Sequence, residues 1–185
     1  EVNLDAIVHN YRYFRSLLKA STKMIAMVKA EAYGLGAVEI SRTLQSQGCD
    51  AVAVAVVDEG IRLRQAGISI PILVMNPDIS VLPLCYEYHL EPEIYSFALL
   101  RAFLECGQRL GIRQYPIHLK LDTGMHRLGF APKDVPELIA RLKRQTSVIP
   151  RSVFSHLVGS DSTQFDAFTR RQIEDFEKAS EELQA

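Results

Sequence analysis

Short, almost continuously apolar runs alternate along the chain with longer stretches in which apolar residues recur three and four positions apart. The runs are MIAMV (24–28), AVAVAVV (51–57), IPILVM (70–75), the weaker EPEIY (91–95), PIHLKL (116–121) and SVFSHLV (152–158). Their length and the near absence of a polar face predict parallel strands covered on both sides. The intervening stretches 37–47, 58–66, 80–88, 96–110, 132–144 and 163–183 predict helices, and an opening helix over 5–19 sets Ile7, Tyr11, Phe14 and Leu18 on one stripe. Ser96 before Phe97 and Gly111 after Leu110 supply a helix start and stop, and the endings QSQG and RQAG close two more helices on glycine. A helix followed by about six strand–helix repeats is the order of an α/β fold with a parallel sheet and right-handed crossovers. No linker, internal repeat or low-complexity tract interrupts it, so residues 1–185 read as one domain.

This pattern alone does not separate an open doubly wound sheet from a barrel. A complete (β/α)8 barrel takes about 250 residues, and six units fall short of closure. Against a dinucleotide-binding sheet, no GxGxxG joins a strand to a helix; Gly34-Leu35-Gly36 lacks the third glycine.

Composition narrows the function. With 48% hydrophobic and 23% charged residues and a net charge of -1, the 185 residues have the make-up of a soluble domain with a full core. Near-neutral charge argues against nucleic acid as a partner, and the basic clusters Arg141-Lys143-Arg144 and Arg170-Arg171 read as solvated helix faces. Cys49, Cys85 and Cys106 are odd in number and widely spaced, which fits neither a disulfide framework nor a zinc site and agrees with a reducing cytoplasm. No apolar run reaches the roughly 20 residues of a membrane span, and EVNLDAIVHN has none of the blocks of a signal peptide. The expectation is a cytoplasmic protein that acts on a small molecule, with no metal, nucleic acid or membrane as partner.

Chemistry is expected at the carboxyl ends of the strands, where parallel α/β folds build their sites. Lys29 follows MIAMV, Lys120 and Asp122 end PIHLKLD, and His156 lies in SVFSHLV. In 117–122, alternation sends Ile117, Leu119 and Leu121 one way and His118, Lys120 and Asp122 the other. Three ionisable groups on one face of a buried strand are costly unless they line a cavity or satisfy one another. Arg127, on the glycine-containing loop DTGMHRLGF, can fold back over that face.

These segments resemble the alanine racemase family. VKAEAYGLG (28–36) is similar to its pyridoxal-phosphate lysine motif, VKADAYGHG; HLKLDTGMHRLGF (118–130) resembles its KVDTGMGRLGF signature, and SHLVGSDS (155–162) its SHFA-type strand. VNLDAIVHNYR (2–12) and residues 51–75 match in order and spacing, so the similarity runs through the whole chain. The forms TGMHRLGF and IPRSVFSH look closest to the racemase module that some bacteria fuse behind a peptidoglycan Mur ligase.

The resemblance implies a (β/α)8 TIM barrel, incomplete here, that uses pyridoxal 5'-phosphate to interconvert L- and D-alanine for peptidoglycan synthesis. By it, Lys29 holds the cofactor as a Schiff base and is one of two bases at the alanine α-carbon, and Tyr33 places its hydroxyl on the phosphate. Arg127 contacts the cofactor's phenolic oxygen and the substrate carboxylate, and His156 packs against the pyridine ring. Lys120 matches a lysine that is carbamylated in much of the family, a change that would turn two neighbouring cations, Lys120 and Arg127, into opposite charges. Leu35 stands for the motif's histidine, His126 for a glycine and Glu31 for an aspartate. The family's further phosphate-binding residues, the arginine facing the pyridine nitrogen and the β-rich C-terminal domain have no counterpart here. That domain supplies a tyrosine base to the partner subunit of a homodimer. The expectation is therefore the N-terminal part of a racemase barrel, inactive by itself. The alternatives are a single-domain pyridoxal-phosphate carrier without racemase activity and a non-catalytic module that keeps the barrel shape.

Overall fold

Six parallel strands form, the first four inside runs that the hydrophobic pattern marks and the last two overlapping theirs but starting earlier, and each is connected to the next through helix. The computed structural model describes residues 1–185 as two units, Glu1–Pro92 and Glu93–Ala185. The first contains α1 (Leu4–Ser16), β1 (Ile25–Met27), α2 (Lys29–Gly34), α3 (Ala37–Ser46), β2 (Ala51–Val54), α4 (Val57–Gln65), β3 (Ile72–Val74) and α5 (Leu82–Glu87). Strand β4 (Glu91–Ile94) straddles the division, with Glu91 and Pro92 beside Leu73 and Val74 of β3, and Glu93 and Ile94 beside His118 and Leu119 of β5. The second continues with α6 (Phe97–Arg109), β5 (Tyr115–Lys120), α7 (Val135–Lys143), β6 (Val148–Phe154) and α8 (Asp166–Gln184).

The strands pair in chain order, β1 to β6, without reversal. A doubly wound sheet reverses direction at a switch point, so this order answers the question the pattern left open in favour of barrel-type winding. In the first unit β2 and β3 are buried along their whole length, as their apolar runs require. β1 pairs only with β2, and its apolar Ile25 is 50% exposed. In the second unit β6 pairs only with β5; Pro150, which has no N–H to donate, is tolerated on such an edge strand. There Ile117 aligns with Pro150 but His118 with Ser152, so Arg151 is an extra residue that bulges the strand.

Local signals account for much of the helix placement. Asn3 caps α1, accepting from the N–H groups of Asp5 at 2.9 Å and Ala6 at 3.2 Å. Ser96 caps α6 by accepting from Leu99 N–H, and Leu99, Leu100 and Phe103 of that helix are buried. The stripe expected on the first helix is only partly used: Tyr11 is buried, Phe14 is exposed, and Leu18 lies beyond the last turn and is exposed. No helix is long and apolar enough to cross a membrane.

Candidate active site

Lys29 directly follows β1 and its Val28 neighbour, whose N–H donates to Ala53 O of β2. After Lys29 the backbone does something no propensity argument predicts. Ala30, Glu31, Ala32 and Tyr33 all lie in the left-handed region, with φ between 51° and 57°, so α2 is a left-handed turn built from non-glycine residues. The cost is about 1–2 kcal/mol per residue, on the order of 4–8 kcal/mol for the four, and such strain persists only where surroundings over-determine it. Glu59 of α4 supplies part of that surrounding: Oε1 accepts from Ala30 N–H at 2.6 Å and Oε2 from Ala55 N–H at 2.7 Å. Glu31 pairs with Arg62, also on α4. The turn leaves Lys29 half-buried, with Nζ 6.0 Å from the ring centre of Tyr33, which is 65% exposed.

In the second unit the DTGMHRLGF loop leaves β5 and returns to it. Phe130 N–H donates to Lys120 O and Asp122 N–H to Phe130 O, both at 2.9 Å. Gly129 makes this return possible: its φ is +130°, and a Cβ there would sit 2.5 Å from Asp122 N and 2.6 Å from Leu121 C. Asp122 organises the loop from inside, its Oδ1 accepting from the N–H groups of Gly124 and His126 and its Oδ2 lying 3.0 Å from His126 Nδ1. Burial works against its charge, but the His126 and Gly124 N–H groups and the His126 ring outweigh burial and hold the pKa of Asp122 below the usual carboxylate range. His126 is thus a brace of the loop that presents the exposed Arg127.

His118 and Lys120 are both buried, as the alternation argument requires, and Ile117, Leu119 and Leu121 are buried on the other side. His118 Nδ1 lies 2.7 Å from Ser152 Oγ on β6. Lys120 has a partner that sequence reasoning missed, Glu93 of β4, with Nζ 3.7 Å from Oε1, and its amine lies 4.8 Å from the centre of the Phe154 ring. Glu93 is 1% exposed, and neither of its carboxylate oxygens has a hydrogen-bond partner. Burial pushes its pKa up to about 7, against the pull of Lys120 and Arg127. The motive for modifying Lys120, two adjacent cations, is therefore already answered in part by a carboxylate. The period-two pattern of EPEIY was the signal for it, since Glu91 and Glu93 share a face.

This burial has a consequence for pH. Between its ordinary value of 4.5 and about 7, the folded chain keeps a proton on Glu93 that the unfolded chain has lost. Stability therefore falls as pH rises through that window, by about 3 kcal/mol in total. Urea unfolding from pH 4 to pH 8 is expected to show this slope and to show it flattened in Glu93→Gln. Parallel profiles for the two proteins would refute the role of Glu93.

His156 requires a correction. The run 152–158 predicts it within a strand, but β6 starts earlier, at Val148, and ends at Phe154, leaving His156 in the loop beyond and exposed. The ladder to β5 runs out at Lys120 and Phe154, and the next backbone groups are captured elsewhere. Ser155 Oγ donates to Leu121 O, and Gln172 of α8 donates through Nε2 to His156 O at 3.1 Å. Gln172 is 1% exposed, and its position on an otherwise amphipathic helix gave no sign of this duty. Lys29 and Tyr33 thus belong to the first unit, and Lys120, Arg127 and His156 to the second. No group of three or more His, Cys, Asp or Glu is placed to hold a metal ion.

Comparison with known proteins matches residues 2–185 to the family model described as alanine racemase, N-terminal domain. The chain is 36% identical over 187 residues to an alanine racemase of Carboxydothermus hydrogenoformans, covering 100% of this chain and 50% of that protein. It is 33% identical to alanine racemase 1 of Oceanobacillus iheyensis, covering 100% and 49%. Among solved structures, alanine racemase of Clostridium difficile in complex with cycloserine superposes with a TM-score of 0.93 at 31% identity, over 99% of this chain and 50% of that one. The biosynthetic alanine racemase of Pseudomonas aeruginosa gives 0.82 at 34% identity, over 94% and 48%. The chain spans about half the length of the curated relatives it matches.

Proposed function

Because this chain belongs to the alanine racemase N-terminal domain family, we propose that it is the cofactor-holding half of a pyridoxal-phosphate-dependent enzyme that interconverts L- and D-alanine. The observation that carries the reading is the left-handed turn opened by Lys29: four strained residues in a row, tied down from α4, follow the one amine at the end of β1. The residues fit the cofactor. Lys29 is half-buried and so reachable by an aldehyde, and Tyr33 offers an exposed hydroxyl beside it. Pyridoxal phosphate, when bound, draws electron density from the substrate α-carbon and makes its proton removable.

In this reading Lys29 carries the cofactor and, once released from it, takes or returns the α-proton on one face of alanine. The Tyr33 hydroxyl donates to the phosphate. Arg127, a planar cation on a loop fixed by Asp122 and Gly129, holds the cofactor's phenolic oxygen and the substrate carboxylate. His156, on its Gln172-anchored loop, packs against the pyridine ring. At Lys120 a carbamate would form only from the neutral amine, so it would have to displace the ion pair with Glu93. A homodimer, a cytoplasmic setting and supply of D-alanine to the cell wall, in a chain fused behind a Mur ligase, complete the proposal.

The test is turnover. The intact protein, given L-alanine and saturating pyridoxal phosphate, is expected to form D-alanine until the two enantiomers are equal. Cofactor trapped on Lys29 by borohydride without any D-alanine would point instead to a pyridoxal-phosphate carrier.

A further inference from the structure

We propose that Glu59 is the positioning residue for Lys29, a role that rests on the reading of Lys29 given above. A left-handed turn, like any helix start, leaves its first N–H groups without partners inside the turn. The first of these after Lys29 belongs to Ala30, and Glu59 Oε1 takes it at 2.6 Å. The second oxygen of the same carboxylate takes Ala55 N–H at 2.7 Å, just past β2, with Val56 N–H at 3.4 Å. One side chain therefore fastens the end of β1 to the end of β2, and the backbone direction at Lys29 follows from where Glu59 stands.

Its own position is fixed by packing. Glu59 is in the first turn of α4, and the next residue, Gly60, lets that helix press against Leu90; a Cβ at Gly60 would come within 2.9 Å of Leu90 Cδ1. The bonds at the other end of the turn, Gly36 N–H to Glu31 O at 2.8 Å and Ala37 N–H to Glu31 Oε2 at 3.4 Å, hold its exit into α3. Val28, on the other side of Lys29, is held by backbone bonds alone, so Glu59 is the one side chain that fastens a residue adjoining Lys29. A carboxylate suits the task because both its oxygens accept, whereas an amide of the same size would turn an N–H₂ group toward one of the two backbone donors.

The experiment compares the intact wild-type protein with Glu59→Gln, Glu59→Ala and Glu31→Gln. Pyridoxal phosphate is titrated by absorbance, and the site of borohydride trapping is mapped by mass spectrometry well below each protein's Tm. Glu59→Gln is expected to weaken cofactor affinity roughly 10- to 100-fold. It is also expected to spread the trapped label from Lys29 to surface lysines, with Glu59→Ala worse and Glu31→Gln close to wild type. If Glu59→Ala does not fold, the Gln variant decides. A purely structural role would lower Tm but leave the affinity and the site of labelling unchanged, and that result overturns the proposal. Wild-type protein that takes no label on Lys29 would overturn the underlying reading of the lysine instead.

Discussion

Replacement of Lys29 by alanine is expected to abolish covalent capture of pyridoxal phosphate in the intact protein and to lower racemisation by on the order of a thousandfold or more. The size of the effect follows from the lack of a substitute. Lys19 and Lys23 are exposed and lie ahead of β1, not at its carboxyl end. Lys120 is buried beside Glu93 and the Phe154 ring, where an incoming aldehyde does not reach it. On the proposed reading, removing Lys29 thus takes away both the attachment point and one base. Tyr33→Phe should behave differently. Loss of one hydroxyl bonded to a charged phosphate costs about 1.5–3 kcal/mol, so affinity drops while covalent capture on Lys29 persists at high cofactor concentration. Absorbance titration, borohydride trapping and D-alanine assay of the two variants check this contrast. A Lys29→Ala protein that racemises alanine at the wild-type rate would end the assignment.

Residues 1–185 expressed by themselves are expected to form no measurable D-alanine, even with saturating cofactor. Racemisation removes a proton from one face of the α-carbon and returns one to the other, which a base on a single side does poorly. On the proposed reading Lys29 serves one face. The resemblance places the second base, a tyrosine, in a C-terminal domain, and the matched relatives are about twice the length of this chain. Of the seven tyrosines, Tyr11 and Tyr86 are buried in helices, Tyr13 is on the exposed side of α1, Tyr88 closes α5, Tyr95 follows β4, Tyr115 opens β5 and Tyr33 is assigned to the phosphate, so none is assigned as the second base. The comparison to run is the 185-residue chain against one extended to the length of its relatives. Robust turnover by the shorter chain would overturn the two-base argument.

Much of this arrangement was legible from residues alone because it is governed by local rules. Continuous apolar runs become buried parallel strands wherever both faces are covered, as at Ala51–Val54 and Ile72–Val74. Period-two alternation correctly put His118 and Lys120 on one face of β5. Where the rule met an edge it failed by a few residues. β6 begins at Val148 and stops before His156, because a strand's limits depend on how much of its neighbour is left to pair, and β5 ends at Lys120. The apolar stripe of α1 overstates its burial for a similar reason, since periodicity records what a helix can bury and not what is present to cover it.

The sequence by itself determined the α/β class, the order of elements, the family, and the candidates Lys29, Tyr33, Lys120, Arg127 and His156, since each depends on residue type, spacing and neighbours within a few positions. The tertiary structure decided what surrounds them. Glu59 reaches Ala30 across 29 positions, Gln172 reaches His156 across 16, and Glu93 meets Lys120 only because β4 and β5 pair side by side. Four left-handed residues after Lys29 contradict the local preference of alanine, glutamate and tyrosine, and only the contacts of α4 and the turn's own backbone bonds explain how they persist. Such features arise where distant groups compete for one backbone N–H or one buried charge, and a linear pattern carries no distance between residues that the fold brings together.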